Sequence, residues 1–343
     1  MPIKEKYNVA VVGALGVVGS EMIRTLERRN FPVDEFRPLD IPENAGKEVT
    51  FRGKPVKVQA AVKENFRGID IAIFSAGGAA SKVLAPQAVE MGAVVVDNSS
   101  EWRMNPECPL VVPEVNAEDL KWHKGIIPNP NCSTIQMVVV LKPLHDVAGI
   151  KRVVVSTYQA ASGAGGKGIG GLRQEAEEYL RTGKPVEPRV HPVQLAFNAV
   201  PHIDVFQEHG YTKEENKMVG ETQKILGDDS IRVSPTAVRI PVWYGHSESI
   251  NIEFRKPITA DEAREILSRA PGVIVKDDPA NNVYPTPLES NDLDETMVGR
   301  IRQDLTIESG LNLWVVSNNI RKGAALNAVQ VAETLVKMDL VRV

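Results

Sequence analysis

Val9-Ala10-Val11-Val12-Gly13-Ala14-Leu15-Gly16-Val17-Val18-Gly19 decides how the chain begins to fold. Four apolar residues, three of them β-branched, read as a buried strand. The GxxGxxG spacing then turns the chain into residues 20–29, whose apolar positions recur at helical spacing. Strand, glycine turn and helix in that order bring backbone N–H groups to a helix N-terminus, where they can hold the pyrophosphate of a dinucleotide. The spacing departs from GxGxxG by one residue, so context carries the reading. The bland alternative is a tight βα turn that binds nothing.

The same rhythm continues outward. Short β-branched runs at 69–75, 94–98 and 110–112 alternate with a helical pattern at 80–91, which predicts a doubly wound α/β fold with a parallel sheet over the first 130 or so residues. Pro128-Asn129-Pro130 breaks the pattern, and an apolar stripe over 132–147 predicts a helix that starts at or beside Cys132. Beyond it come a strand at 152–157, a glycine-rich segment at 162–171, a helix at 172–182 and a proline-rich loop to about 203. Residues 211–226 and 257–270 read as helices, while 231–242 and 249–255 read as strands of an antiparallel sheet. A strand at 311–316 precedes an apolar helix at 323–338 that could return to the N-terminal half. The organisation expected is a dinucleotide-binding domain at 1–131, completed by a terminal helix within 323–343, and an α+β catalytic and dimerisation domain at 132–322.

Length and composition agree with two domains. The chain has 343 residues, 43% of them hydrophobic and 24% charged, enough to bury a sizeable core. Forty Lys and Arg against forty-four Asp and Glu leave a net charge of −4, which argues against a nucleic-acid partner. The 9–19 stretch follows Lys4 and Lys6 but runs into a helix without a small-residue cleavage site, so it is not read as a signal peptide. No uncharged run suffices to span a bilayer. With only two cysteines, Cys108 and Cys132, a disulfide scaffold is excluded and a reducing, cytoplasmic setting is expected.

Cys132 sits where a helix dipole and free N–H groups favour a thiolate and a developing oxyanion, which is where a nucleophile belongs. Six histidines could serve it. His246 follows a turn glycine at a strand end, and Arg239 lies seven positions earlier, a pairing that suits a proton shuttle beside a carboxylate clamp. Glu221 and Lys224 share a helix face, Arg103 follows a strand end, and each cluster could bind anions or be a surface charge. About twenty residues past the glycines, Asp40 and Glu43 favour NAD and Arg37 favours NADP. No metal-binding residue is assigned.

Taken together these motifs resemble the aspartate-semialdehyde dehydrogenase family over nearly the whole chain. The likeness rests on GxxGxxG, Phe74-Ser75-Ala76-Gly77-Gly78, Asp97-Asn98-Ser99-Ser100 with Arg103, and Asn129-Pro130-Asn131-Cys132-Ser133-Thr134. It continues through Gln159 with Ser162-Gly163, Glu221-Thr222-Gln223-Lys224, Arg239-Ile240-Pro241-Val242 with Gly245-His246-Ser247, and Asn319 with Lys322-Gly323. The resemblance implies a Rossmann-type N-terminal domain, a second domain like that of glyceraldehyde-3-phosphate dehydrogenase, and a homodimer. It implies reduction of 4-aspartyl phosphate by NADPH to aspartate 4-semialdehyde, with release of inorganic phosphate, in lysine, threonine and methionine biosynthesis. Cys132 would be the nucleophile, His246 the acid/base with a pKa near neutrality, and Gln159 the group that orients the acyl. Arg239, Glu221, Arg103, Lys224 and Asn131 would bind substrate; Gly13, Ala14, Leu15, Gly16, Ser162, Gly163 and Asn319 would contact NADP. Where the family often carries a Ser-Ala-Arg-Ser type stretch, this chain has Ile41-Pro42-Glu43-Asn44, so NAD stays open. The rivals are an N-acetylglutamyl-phosphate reductase and a non-catalytic dinucleotide-binding paralogue.

Overall fold

A computed structural model of the chain describes residues 4–341, so the ends of the expected 1–131 and 323–343 segments lie outside the described residues. The chain divides into two compact units, one running to Pro130 and resuming at Ala324, the other comprising Asn131–Gly323.

In the first unit the strands are β1 (Tyr7–Val12), β2 (Val33–Asp40), a short antiparallel hairpin of β3 (Glu48–Phe51) and β4 (Lys54–Lys57), then β5 (Gln59–Ala60), β6 (Ile71–Phe74), β7 (Val94–Asp97) and β8 (Ile126–Pro128). Apart from the hairpin they form one parallel sheet, ordered β5-β2-β1-β6-β7-β8. Alternate residues explain why β1 reads as continuously apolar. Val9 and Val11 pack with Met22, Ile23 and Leu26 of α1 (Val17–Arg28) and with the terminal helix, whereas Ala10 and Val12 pack with Ala85 and Ala88 of α2 (Gly78–Glu90). A strand covered on both faces has no polar side to show.

The strand expected at 110–112 is absent, and β8 closes the sheet instead. Asn116 explains the difference. On α3 (Pro113–Asn116) its side chain donates to the Leu110 carbonyl at 2.9 Å and accepts from the Val112 N–H at 2.9 Å, so this backbone is satisfied without a neighbouring strand.

The second unit begins with α4 (Cys132–Ala148) and β9 (Ile150–Gln159), followed by α5 (Gly165–Thr182), α6 (Lys213–Leu226), β10 (Arg232–Arg239), β11 (His246–Phe254), α7 (Ala260–Ser268), β12 (Val273–Val275), β13 (Thr296–Gln303) and β14 (Gly310–Ser317). Its sheet runs β10-β9-β11-β14-β13-β12 and is mixed. The antiparallel expectation holds for β11 but fails for β10, which pairs parallel with β9 because α5 and α6 carry the chain back to start in the same direction. Met137, Val140, Leu141 and Leu144 of α4 and Leu267 of α7 cover one face, against Val153, Val155, Ile250, Ile252 and Leu313.

Two more expectations change. The helix expected at 172–182 begins earlier, inside the glycine-rich segment: a 3-10 turn, Ala161–Ala164, leads directly into α5 at Gly165. The last helix begins with a π-helical turn at Arg321–Ala325 before α8 (Leu326–Lys337), which packs beside α1 with Arg29 paired to Glu333 at 2.7 Å. No helix among the described residues is long and apolar enough to cross a membrane.

Candidate active site

The amino end of α4 is braced by several hydrogen bonds. Asn131 is its N-cap, its side-chain oxygen accepting from the Ser133 and Thr134 N–H groups at 3.0 and 3.3 Å, a contact worth about 1 kcal/mol to a helix. The Asn131 N–H in turn donates to Glu221 Oε2 at 2.6 Å, and its Nδ2 donates to Glu214 Oε1 at 2.8 Å. Both carboxylates come from α6, so one helix braces the start of another. Cys132, the first residue of α4, is only partly buried. Gly323 leans against it: a β-carbon there would lie 2.8 Å from Cys132 Cβ, so only glycine lets the backbone pass.

Sheet register explains which side chains face that helix end. Arg239 pairs with Gln159 at the carboxyl ends of the parallel strands β10 and β9. Ser247 sits opposite Tyr158, and one more step of the same register puts His246 level with Gln159. Three neighbouring strands thus present Arg239, Gln159 and His246 as one polar rung on the face that α4 covers. Ala160 ties the rung together: its N–H donates to His246 Nδ1 at 3.0 Å, and its carbonyl accepts from Arg239 Nη1 at 2.8 Å.

The hydrogen bond at Nδ1 fixes the tautomer. With Nδ1 accepting, the ring proton of the neutral imidazole must sit on Nε2, which is fully buried and has no acceptor among the described residues. Burial, followed by the nearby Arg239 charge, holds the His246 pKa well below the usual histidine range. That differs from the near-neutral pKa expected for an acid/base. The resting residue is a proton donor at Nε2, and accepting a second proton would break its bond to Ala160.

Arg239 is almost fully buried, which pulls its pKa down from the ordinary value, while the opposing charges of Cys132 and Glu214 push it back up. Glu214 also lies within 3.4 Å of Gln159 Nε2, so one carboxylate braces both the helix cap and the amide. Asn319 accepts from the Gly245 N–H at 3.0 Å and pairs with Ser162 Oγ. Gly163 packs against Arg239, where a β-carbon would meet Nη1 at 2.4 Å. Lys224 stands one turn after Glu221 on α6, partly buried.

One rung behind lies a carboxyl with no such support. Glu248, on the same face of β11 as His246, is fully buried and forms no well-shaped hydrogen bond, although the Gln136 amide faces it. Burial raises its pKa well above the usual range, partly offset by Gln136. The folded state therefore keeps a proton that the unfolded chain releases above about pH 4.5, so this group's contribution to stability falls as pH rises. Glu248→Gln, neutral at every pH, is expected to melt a few degrees above the parent at pH 8, with the gap narrowing toward pH 5. Thermal unfolding at the two pH values checks this; a variant less stable at pH 8 than at pH 5 relative to the parent contradicts it.

In the first unit, Gly13 has φ +81°, and a β-carbon there would lie 2.4 Å from the Ser75 carbonyl oxygen. Gly16 is the N-cap of α1 and supplies no side-chain cap. The N–H groups of Gly13, Ala14 and Gly16 are taken by Leu39 and Gly13 carbonyls, and that of Leu15 by Asp40 Oδ2 at 3.0 Å. The first-turn N–H groups of Val17, Val18 and Gly19, which have no acceptor inside a helix, are the donors left for a phosphate. A cavity of about 390 Å³ opens beside them, between Val12, Gly13, Gly16, Asp40, Ala76 and Leu84. Arg103 is largely buried, donating to the carbonyls of Ser99 and Asn98 at 3.1 Å.

Asn131, Cys132, Gln159, Ser162, Gly163, Glu221, Arg239, His246 and Asn319 are thus connected within the second unit. Gly13, Ala14, Leu15, Gly16 and Arg103 belong to the first. Sequence reasoning missed Glu214, hidden among the charges of 213–217, and Ala160, whose role is carried by its backbone alone.

Comparison with known proteins points the same way. Residues 8–123 match the family "Semialdehyde dehydrogenase, NAD binding domain" and residues 141–322 match "Semialdehyde dehydrogenase, dimerisation domain". The aspartate-semialdehyde dehydrogenase of Aquifex aeolicus is 59% identical over 338 residues, covering 98% of this chain and 99% of its own. Aspartate semialdehyde dehydrogenase II from Vibrio cholerae superposes with a TM-score of 0.94 at 48% identity, covering 97% of this chain and 99% of its own. It has also been solved in complex with ASA, at TM-score 0.94 and 47% identity over the same shares. The Candida albicans enzyme, solved with NADP, has a TM-score of 0.77 at 26% identity, covering 98% of this chain and 99% of its own. With a dinucleotide cradle in one unit, a helix-capped thiol in the other and this likeness along nearly the whole sequence, the chain belongs to the aspartate-semialdehyde dehydrogenase family.

Proposed function

We propose that the chain interconverts 4-aspartyl phosphate and aspartate 4-semialdehyde, with release of inorganic phosphate, through an acyl thioester on Cys132. One observation carries the reading: the sulfur begins α4, close enough to Arg239 for their charges to interact, in the same braced network as Gln159 and His246. The Vibrio cholerae relative was solved with ASA, which we read as the aldehyde of this reaction.

The helix dipole and the Arg239 charge favour the ionised sulfur. The thiolate attacks the acyl carbon, the carbon–oxygen bond to phosphate breaks, and phosphate leaves with the bonding pair. A bound nicotinamide dinucleotide supplies hydride to the thioester carbon in one direction and takes it back in the other. His246 offers Nε2–H to the oxyanion that forms on that carbon, and collapse of the oxyanion expels the thiolate and frees the aldehyde. Gln159, held by Glu214, orients the acyl group. Arg239 and Glu221 grip the carboxylate and ammonium, with Asn131 beside them; Lys224 and Arg103 serve the phosphate. Ser162, Gly163 and Asn319 contact the dinucleotide, together with the Gly13 to Gly16 turn and the first residues of α1. The finer family expectation is NADP, the ligand of the Candida albicans relative.

Glu221 and Arg239, both buried and charged, favour an amino acid with a free ammonium over an acetylated one. Steady-state assay of aspartyl phosphate against N-acetylglutamyl phosphate tests this, and preference for the acetylated compound would overturn it. We also propose a homodimer through the second unit. Its support is the sheet face opposite α4, where the Tyr158 and Trp314 rings meet in a tilted contact with centroids 5.4 Å apart and stay half-buried. Light scattering in solution checks the mass.

A further inference from the structure

We propose that Asp40 makes the dinucleotide site of this chain select NAD over NADP. The inference rests on the dinucleotide reading just given and deepens it.

Asp40 ends β2, and β2 lies beside β1, whose end carries the glycine turn. Its Oδ2 accepts the Leu15 N–H at 3.0 Å, and its Oδ1 accepts the Ile41 N–H at 2.9 Å and Asn44 Nδ2 at 2.7 Å. These bonds fix the carboxylate on the wall of the cavity that Gly13 and Gly16 also line. Three bonds leave one of about four acceptor positions open, enough for a ribose hydroxyl. They do not remove the negative charge, which a 2′-phosphate in the same place would have to face.

The cations that could compensate are turned elsewhere. Arg37 bonds to Glu35 and to the carbonyls of Asn65 and Arg67, at 2.8 to 3.0 Å for the carbonyls, so the residue that could have argued for NADP is spent on its own surroundings. Lys47 Nζ is held on Asn44 Oδ1 at 2.6 Å, on an exposed loop. The cavity wall adds Ser75 and apolar side chains such as Leu84 to Gly13, Gly16, Asp40 and Pro42, with neither lysine nor arginine on it. Glu43, exposed and next in sequence to the lining residue Pro42, is a second acidic residue in this segment and brings no cation to it. A carboxylate that can accept from a 2′-hydroxyl and no cation to receive a 2′-phosphate is a wall suited to the unphosphorylated ribose.

The test is direct binding to the full chain, by calorimetry with NADH and NADPH, and with ADP-ribose against 2′-phospho-ADP-ribose to isolate the ribose end. NADH is expected to bind at least tenfold more tightly, because one added charge close to Asp40 costs a factor of about ten or more even near a surface. Asp40→Asn, which keeps the size and one acceptor, should tighten NADPH binding and so narrow the ratio. Equal or tighter binding of NADPH by the parent overturns the role of Asp40 while leaving the dinucleotide site standing. Failure of either dinucleotide to bind overturns the dinucleotide reading itself. Should Asp40→Asn not fold, the parent's two ratios decide alone.

Discussion

Cys132→Ala is expected to lower kcat by about 10⁴-fold or more, because loss of a covalent nucleophile removes the pathway rather than slowing one step. Removing the sulfur leaves the surrounding supports intact. The α4 cap is made by the Asn131 side chain on the Ser133 N–H, and the braces run from Glu221 and Glu214 to Asn131. Dinucleotide affinity should therefore stay within roughly a factor of three, as for a change with no shared partner. Calorimetric titration beside steady-state kinetics separates the two. Turnover retained in the variant would remove Cys132 from the mechanism; turnover and binding lost together would show a fold that had failed.

His246→Ala is expected to lower kcat by about 10² to 10⁴-fold, the range for a positioned proton donor. Its signature is what it leaves unchanged. The ionised sulfur is supported by the start of α4 and by Arg239, so alkylation of Cys132 by iodoacetamide at neutral pH should proceed at nearly the parental rate. A thiol that depended on His246 as its base would lose that reactivity as well. The pH profile gives a second check. Since burial and Arg239 hold the His246 pKa well below the usual range, the neutral ring is the working form across neutral pH, and kcat should show no break from this residue between about pH 6 and 8. An acid limb centred near 6.5 that vanishes in His246→Ala would contradict this assignment.

Much of this was legible in the amino-acid order, for reasons that differ from residue to residue. β1, β6 and β7 are covered on both faces and announced themselves as unbroken apolar runs. The start of α4 was marked by a proline break and a helical stripe, so Cys132 could be singled out from the sequence, whereas the capping role of Asn131 could not. β2 was harder to read because Val33-Asp34-Glu35-Phe36-Arg37-Pro38 mixes charges and a proline into a strand. The parallel pairing of β10 depends on where two intervening helices return the chain, which no local pattern encodes. The Ala160 contacts use only backbone, and any residue but proline could make them. The ionisation of His246 was misjudged because burial is set by β11, β9 and α4 together, while the sequence shows only a histidine after a turn glycine.

Asp40 shows the limit from the other side. Sequence placed Arg37, Asp40 and Glu43 in competition for the ribose, and only the bonding of Arg37 to Glu35 and nearby carbonyls removes one competitor. Alternation along β2 sends Arg37 and Asp40 to opposite faces, so the register, not the residue types, settles which of them meets the cavity.

In the proposed reaction the acyl carbon of the substrate becomes bonded to one sulfur, that of Cys132. The most direct measurement is to mix the enzyme with aspartyl phosphate in the absence of dinucleotide, quench in acid and map the adduct by peptide mass spectrometry. One aspartyl group is expected on the peptide carrying Cys132, removed by hydroxylamine and missing from Cys132→Ala. An adduct on any other residue, or none while dinucleotide-dependent turnover proceeds normally, would contradict it.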